Sequence, residues 1–322
     1  MDNELDQLKR VNLADYAVSQ GYEFNKKKSS RHSLCYDHPN GDRILVGRDP
    51  ASGHSVYCSV RDDSDNGTLI DFVQKRQGLN LGQVRKELRP YAGIGSAPRP
   101  SYKPQPVPEP VEKDRVEQQR GLAACEPVTG QHRYLRSRAL AAGTLEHFKD
   151  KVYADARGNA VFPHYDTQGV CGLEIKNQNF TGFSKAGEKG LWFHGPKEPS
   201  RVVVCESAID CMSHYQLSRK RNDPEADRTL YVSTAGKQSP EAEQNLKSLV
   251  GHYPQATIVA GFDNDKDGQK LSERLVELAE RDVTRQVPSN KDWNDDLQAQ
   301  HKQELELARE QERDDDRYGL GR

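Results

Sequence analysis

Two short β-branched runs, Arg201-Val-Val-Val-Cys-Glu206 and Ala256-Thr-Ile-Val-Ala-Gly-Phe-Asp263-Asn-Asp265-Lys-Asp267-Gly268, each end abruptly in carboxylate. An apolar run of this length without alternation is how a strand reads when both of its faces are buried, the condition of a parallel strand covered by helices. Strands of that kind deliver their last residues to the carboxyl rim of an open sheet, where α/β proteins place their ligands. The surrounding sequence keeps the same rhythm: strand 201–205, helix 207–220, strand 229–233, helix 240–252, strand 256–262, helix 268–281 and a closing strand, Val283–Val287. Strand then helix, repeated, predicts an open parallel sheet with flanking crossover helices.

The acids at the strand ends carry the chemistry. One Glu and a D-x-D-x-D cluster brought to one rim form a site for hard divalent cations, which suggests phosphodiester chemistry. The series Asp263 to Gly268 also matches the opening of a calcium loop. An EF-hand, however, needs a bidentate Glu at its twelfth position and a helix entering the loop; here the twelfth residue is Arg274 and the entering segment is a strand. A second alternative is a solvated turn that caps the following helix, since Asp is favoured at helix N-termini. Glu206 weighs against it, because an acid directly after Val-Val-Val-Cys costs desolvation unless it is paired or coordinated. Mg²⁺, or Mn²⁺ in its place, fits best: it takes carboxylate oxygens, keeps several waters and reaches substrate phosphates. Asp210, one turn into the next helix, reads either as support for that site or as surface charge.

Elsewhere the chain is built in pieces, as a length of 322 residues suggests. Pro98, Pro100, Pro104, Pro106, Pro108 and Pro110 alternate with other residues and mark a linker over 94–115. Before it, residues 1–93 open with a helical pattern (Leu5, Leu8, Val11, Leu13, Tyr16, Ala17). A Lys26-Lys27-Lys28 run follows, then strands around 43–46 and 54–58 and helical spacing over 68–91. Residues 116–198 read as helices to about 150, with Tyr134, Leu135, Leu140, Leu145 and Phe148 as core, then antiparallel β structure around a turn at Asp166-Thr-Gln-Gly169. The sheet occupies 199–295, and a charged tail, 296–322, is either an exposed helix or disordered.

The net charge of -2 says little about partners, although residues 1–104 carry 16 Lys and Arg against 13 Asp and Glu, a weakly basic front that permits nucleic-acid contact. No apolar run approaches the ~18 residues of a membrane helix, and the first residues lack a signal peptide's basic start and apolar middle, so a cytoplasmic location is expected. In that reducing compartment the six cysteines read as thiols or metal ligands.

A Glu at the end of the first strand with D-x-D at the end of the third resembles the Toprim domain shared by bacterial primases, type IA and type II topoisomerases and some nucleases. The resemblance covers about residues 199–290. It implies that Glu206 is the general acid/base and that Asp263 and Asp265 are metal ligands, with Asp267 as a third position. Gly236 matches the tight turn after the second strand, and Lys291-Asp292-Trp293-Asn294-Asp295 resembles the K-D-W-N-D ending of Toprim proteins on mobile elements, Trp293 being either part of that motif or simply core.

Asn159-Ala-Val-Phe-Pro, Asp166-x-x-Gly169-x-x-Gly172-Leu and Gly182-Phe-Ser-Lys-Ala-Gly-Glu-Lys-Gly-Leu-Trp-Phe are similar to the strand pair and connector that precede Toprim in bacterial primase. Residues 120–195 resemble a domain of unknown function often fused to Toprim in plasmid and conjugative-element proteins. The primase Gly-Gly-Arg is replaced by Glu174-Ile-Lys176, leaving Lys176, Lys185 and Lys189 as candidate phosphate or nucleotide contacts, each a point charge rather than an arginine fork.

The front domain is similar to primase zinc-ribbon domains, with Cys35, His38 and Cys58 as candidate Zn²⁺ ligands. The fourth ligand position holds Arg61, which cannot ligate, so His54 or another group substitutes or the fold has lost its zinc. The resemblance therefore implies a primase-like Toprim protein of a mobile element. Its expected activity is Mg²⁺-dependent nucleotidyl or phosphodiester transfer on DNA, with single-stranded DNA, nucleotides and the element's replication or mobilisation proteins as partners. A Toprim nicking nuclease and a non-catalytic DNA-binding or scaffolding protein are the alternatives.

Overall fold

The structure, a computed structural model, describes residues 3–30, 33–62, 64–94, 112–236 and 239–319, with side chains of the last helix through 313. Two compact units emerge, Met1–Glu112 and Lys113–Arg322. The proline-rich segment 98–110 lies outside the described residues.

The first unit begins with α1 (Asn3–Lys9) and α2 (Leu13–Ser19). An antiparallel meander follows: β1 (Glu23–Phe24), β2 (Leu34–Asp37), β3 (Arg43–Arg48), β4 (Ser55–Ser59) and β5 (Asn66–Thr68). The helical spacing over 68–91 proves to be two helices, α3 (Leu69–Gln77) and α4 (Leu81–Ala92). Thr68 with Asp71 and Asn80 with Gln83 form capping boxes, and Gly78 ends α3 at φ +65°, a left-handed cap that glycine adopts without a Cβ penalty. Leu8, Tyr16, Tyr36, Ile44, Leu69, Phe72, Val84 and Leu88 make the core.

The second unit starts with α5 (Arg115–Ala123), β6 (Glu126–Pro127), α6 (Arg133–Ser137) and α7 (Ala142–His147). Then come β7 (Tyr153–Ala154), β8 (Ala160–Asp166), β9 (Gly169–Asn177), β10 (Phe180–Phe183) and β11 (Trp192–His194). Strands β6 to β10 form an antiparallel sheet in chain order, and the β8–β9 hairpin turns between Asp166 and Gly169 where the sequence places it.

The remaining elements alternate: β12 (Arg201–Cys205), α8 (Ala208–Lys220), β13 (Thr229–Ser233), α9 (Pro240–His252), β14 (Thr257–Ala260), α10 (Lys266–Ala279), β15 (Val283–Arg285) and α11 (Trp293–Gly319). Their sheet has the order β11-β13-β12-β14-β15. All pairings are parallel except that of β11, which runs antiparallel along β13. This is the mixed α/β fold, with a largely parallel sheet and flanking helices, that the strand and helix rhythm predicts.

Alternation along β12 explains its unbroken apolar sequence. Val203 and Cys205 join a core with Phe148, Phe162, Trp192, Met212, Tyr231 and Trp293, whereas Val202 and Val204 join Leu230, Val232, Leu246, Ile258 and Leu275 on the other face. Both faces are dry, and each fully buried aliphatic side chain contributes roughly 1.5–3 kcal/mol. The first of these cores unites residues 128–192 with the parallel sheet, so the antiparallel lead-in and the strand-end rim are held by one packed interior. Helix α8 lies inside this arrangement with residues 208–218 all buried, and Lys220 pairs with Glu304 of α11 at 2.7 Å. Within its described side chains the tail is thus the outer part of a helix.

Candidate active site

Strand β12 is the hydrogen-bonded neighbour of β13 on one side and β14 on the other, so three parallel strands end at one rim with β12 in the middle. The chain leaves β12 at Glu206. Ser207 then caps α8, its hydroxyl accepting from the Asp210 N–H and donating to Asp210 Oδ2 at 2.5 Å, which fixes the carboxyl of Asp210 in the first turn. At the end of β13 the backbone turns left-handed through Ala235 (φ +51°) and Gly236 (φ +80°), and the Gly236 N–H donates to the Glu206 carbonyl oxygen at 3.1 Å. A Cβ on Gly236 would stand 3.7 Å from Glu206 Oε1, so this turn borders the acid directly.

Strand β14 continues beyond Ala260 through Gly261 and Phe262 to Asp263. The Gly261 carbonyl oxygen accepts from the Trp293 indole N–H at 2.8 Å, and Trp293 is itself buried in the core. The tryptophan is therefore a packed brace for the strand end. Beneath it Gly268 approaches so closely that a Cβ there would lie 2.1 Å from the Asp263 carbonyl oxygen. Asp263 is 8% exposed, and its Oδ1 is buried with no hydrogen-bond partner. Asp265 caps α10, its Oδ1 accepting from Asp267 N at 3.0 Å and Gly268 N at 2.8 Å. Asp267 points into solvent beside Lys270, its side chain 77% exposed.

The carboxyls at this rim raise one another's pKa. Burial and then Glu206, Asp210 and Asp292 push Asp263 up to about 7, with Lys291 opposing. Burial, with Asp292 adding to it, pushes Asp210 up to about 6 against the help of Ser207, Lys176 and the Asn294 N–H. Glu206 is raised by burial, Asp210, Asp265 and Asp267, with Lys291 relieving it. Crowded carboxyls that resist ionisation, one of them with an orphan oxygen, are what a cation neutralises.

Asp263 and the second oxygen of Asp265 supply the oxygens that would hold a magnesium-type ion, with Glu206 beside them. Asp267 is placed at its margin. Among the described residues no three His, Cys, Asp or Glu side chains already close on a common point as a ready metal cage. Magnesium does not require one, since it is commonly held by one or two carboxylates, waters and substrate phosphates.

Sequence reasoning assigned neither Lys291 nor Asp292 to the site, although both lie in the quoted Lys-Asp-Trp-Asn-Asp run. Asp292 accepts from the Asp295 N–H at 2.7 Å, the Lys291 carbonyl oxygen accepts from Asn264 N at 2.8 Å, and both side chains act on the rim carboxyls. Asn294, 1% exposed, donates to the Arg138 carbonyl oxygen and to Ser213 Oγ, while its N–H reaches Asp210 Oδ1 at 3.3 Å.

A cleft of about 430 Å³ opens next to Asp210 and Asp292, with Arg138, Lys176 and Asn177 among its walls. Lys176 is thus brought to the site. Lys189 donates to the Ala235 carbonyl oxygen at 2.9 Å, on the turn that borders Glu206, whereas Lys185 is exposed and contributes its carbonyl oxygen to Gln118.

In the first unit the candidate zinc ligands are not gathered. Cys35 and Cys58 lie on β2 and β4, each paired with Leu45 of the intervening β3. That puts them two strand spacings apart, roughly 9–10 Å, too far for one tetrahedral ion with bonds of about 2.3 Å. Cys35 is buried and Cys58 exposed. His38 Nδ1 accepts from Asn40 N at 3.2 Å, its ring lying against Tyr22, and His54 pairs with Asp6.

Residues 203–297 match the family described as Toprim-like. The chain therefore carries a Toprim-like domain, and its strand-end acids lie inside it. Residues 133–197 match a family described as a protein of unknown function (DUF3991).

Among solved structures, the chain is similar to the crystal structure of the primase fragment of the bacteriophage T7 primase-helicase protein, at 16% identity and a TM-score of 0.40, covering 62% of this chain and 81% of that one. It is also similar to a chain from a structure of bacteriophage T7 lagging-strand DNA polymerase interacting with primase domains bound to an RNA/DNA hybrid and dTTP, at 18% identity and a TM-score of 0.35, covering 54% and 90%. No curated protein matches the chain.

Proposed function

We propose that this protein is a primase-like Toprim enzyme that carries out Mg²⁺-dependent nucleotidyl or phosphodiester transfer on DNA. The observation that carries the reading is the convergence of Glu206 and Asp263 at the ends of neighbouring parallel strands, with the Asp263 carboxyl pushed up to about 7 and its Oδ1 left without a partner. Asp263 and Asp265 would hold the ion, with Asp267 able to join them. When bound, the ion neutralises phosphate charge and favours attack at phosphorus.

The protein's own groups supply the rest. Glu206, half-buried and raised from its ordinary carboxylate value by burial and its acidic neighbours, is suited to take a proton from the attacking oxygen and return it to the leaving one. Asp210, held by Ser207 and Asn294, supports that proton chemistry from behind. Lys291 tempers the negative field, and Lys189, fixed on the Ala235 carbonyl, stands where a phosphate would approach. DNA, as a single strand, and nucleotides are the partners this reading assigns. A cytoplasmic location and service to a plasmid or other mobile element belong to the same proposal.

Incubating the purified chain with Mg²⁺, a single-stranded template and nucleotides, and in parallel with supercoiled plasmid, separates synthesis from nicking. Activity in either assay that is lost in Glu206→Gln supports the rim as the catalytic site. If neither assay shows turnover and Asp263→Asn leaves metal-dependent thermal stability unchanged, the proposal fails and a binding or scaffolding role takes its place.

A further inference from the structure

Residues 133–197 contain a charged cluster where the pairing of two strands calls for apolar side chains. In the β8–β9 register, Phe162 faces Glu174, Ala160 faces Lys176 and His164 faces Gly172. Side chains alternate along a strand and cross-strand partners share a face, so His164, Glu174 and Lys176 lie on the side that Ala160 and Phe162 press into the shared core. All three are buried, at 0%, 4% and 8% exposure. Ionisable groups persist in such a place only when they are paired.

The pairing has a direction. His164 Nδ1 lies 2.8 Å from the Gly190 carbonyl oxygen, which can only accept, so Nδ1 carries the proton. Nε2 then faces Glu174 Oε2 at 4.0 Å, and neither atom has a hydrogen-bond partner. The other oxygen of Glu174 holds Lys176 Nζ at 3.1 Å. Burial disfavours the charged form of Glu174, yet His164 and Lys176 outweigh it and keep the carboxyl below its ordinary range. Lys176 emerges from this pair into the wall of the 430 Å³ cleft that also contains Asp210 and Asp292. Arg138 lines the same cleft with its Nε buried and unpartnered, and Phe180, 51% exposed, offers an aromatic ring. The volume falls in the range of about 300–1,000 Å³ typical of small-molecule sites.

We propose that Glu174 is a positioning residue that fixes the Lys176 ammonium in the cleft wall, where, with Arg138, it binds the phosphate of a single nucleotide unit beside the ring of Phe180. A lysine is a flexible point charge, and anchoring it in advance removes the entropy it would otherwise lose on meeting a phosphate. The inference rests on the reading of the neighbouring rim as a phosphodiester site and adds to it the residues that hold the substrate.

The test is equilibrium binding to the full chain in chelator, with a nucleoside triphosphate, the parent nucleoside and a short single-stranded oligonucleotide in separate arms. Losing a charge-assisted phosphate contact should weaken triphosphate binding about tenfold or more in Lys176→Met and several-fold in Glu174→Gln, with nucleoside binding unchanged. Displacement of the triphosphate by the oligonucleotide, with the same dependence on Lys176, assigns the phosphate to a strand; its absence assigns a free nucleotide. Both results support the clamp.

Equal loss of nucleoside and triphosphate binding, or no loss in Lys176→Met, overturns it. If Glu174→Gln does not fold, a crystal of the unmutated chain with the triphosphate decides: a phosphate oxygen within hydrogen-bond reach of Lys176 Nζ supports the clamp, and density elsewhere overturns it. Glu206→Gln separates the two proposals. Triphosphate binding through Lys176 in a chain without transfer activity sinks the catalytic reading alone, whereas transfer activity indifferent to Lys176→Met sinks the clamp alone.

Discussion

Replacing Asp263 with asparagine isolates the electrostatic argument on which the rim depends, because the two side chains match in volume and differ in charge. Burial and the carboxyls of Glu206, Asp210 and Asp292 push Asp263 up to about 7. A group whose folded pKa lies above its unfolded value binds more protons when folded. Stability of the metal-free protein therefore falls as pH rises from about 4 through about 7.

From an ordinary carboxyl near 3.9 to about 7, at ~1.4 kcal/mol per pKa unit, ionising Asp263 at pH 8 costs about 4 kcal/mol; relaxation of its neighbours reduces this to about 2–4 kcal/mol. In chelator at pH 8, Asp263→Asn should be more stable than the wild type by that amount, roughly 4–16 °C at about 2–4 °C per kcal/mol for a domain of this size. At pH 4, where the acid is protonated, the two should melt together. Mg²⁺ at about a hundred times its dissociation constant should add about 2.7 kcal/mol to the wild type and little to the variant. Scanning calorimetry across pH, with chelator and with Mg²⁺, measures all four conditions. A variant less stable than the wild type at pH 8 in chelator, or a difference that is the same at pH 4 and pH 8, refutes the claim that these carboxyls are crowded.

Gly268→Ala should cost several kcal/mol in denaturant unfolding, since its Cβ would lie 2.1 Å from a backbone oxygen that is itself part of the rim; a loss below about 1 kcal/mol would mean the helix start can shift. Asn294→Ala should destabilise by about 1–3 kcal/mol, because it orphans the Arg138 carbonyl oxygen in the interior and removes the donor to Ser213 Oγ, which keeps its bond to the Ile209 carbonyl oxygen, and urea melts read this directly. His214, 3% exposed and pulled down to about 4 by burial, keeps its neutral form when folded, so it contributes stability that is present above about pH 6.5 and lost as pH falls toward 4. His214→Gln should flatten that acid limb, and an unchanged slope would assign the limb to other groups.

Much of the parallel sheet is legible in the sequence because its signals are local. Val202 to Cys205 and Thr257 to Ala260 are apolar without alternation, Ser207 and Ser239 stand at helix starts, and Asp166 to Gly169 is a turn between two strand runs. Hydrophobic periodicity, caps and turns act over a few residues, and a reader of the chain sees them whole. That an acid should follow each of two buried strands was equally visible, and it pointed to Glu206 and Asp263.

What the sequence by itself could not determine is which distant residues meet, since strand order and register are set by long-range packing. Only the tertiary structure put β12 between β13 and β14 and so brought Glu206 beside Asp263. It turned Trp293 inward as a brace on Gly261 and drew Lys291 and Asp292 to the rim. It kept Cys35 and Cys58 apart across Leu45, although their spacing along the chain suggested a shared ion. The β8–β9 register likewise decided that Glu174 and Lys176 enter the interior with His164, where a local pattern reads only two charges on a strand. Sequence spacing limits how far apart residues can be, but the pairing of strands decides which side chains share a face.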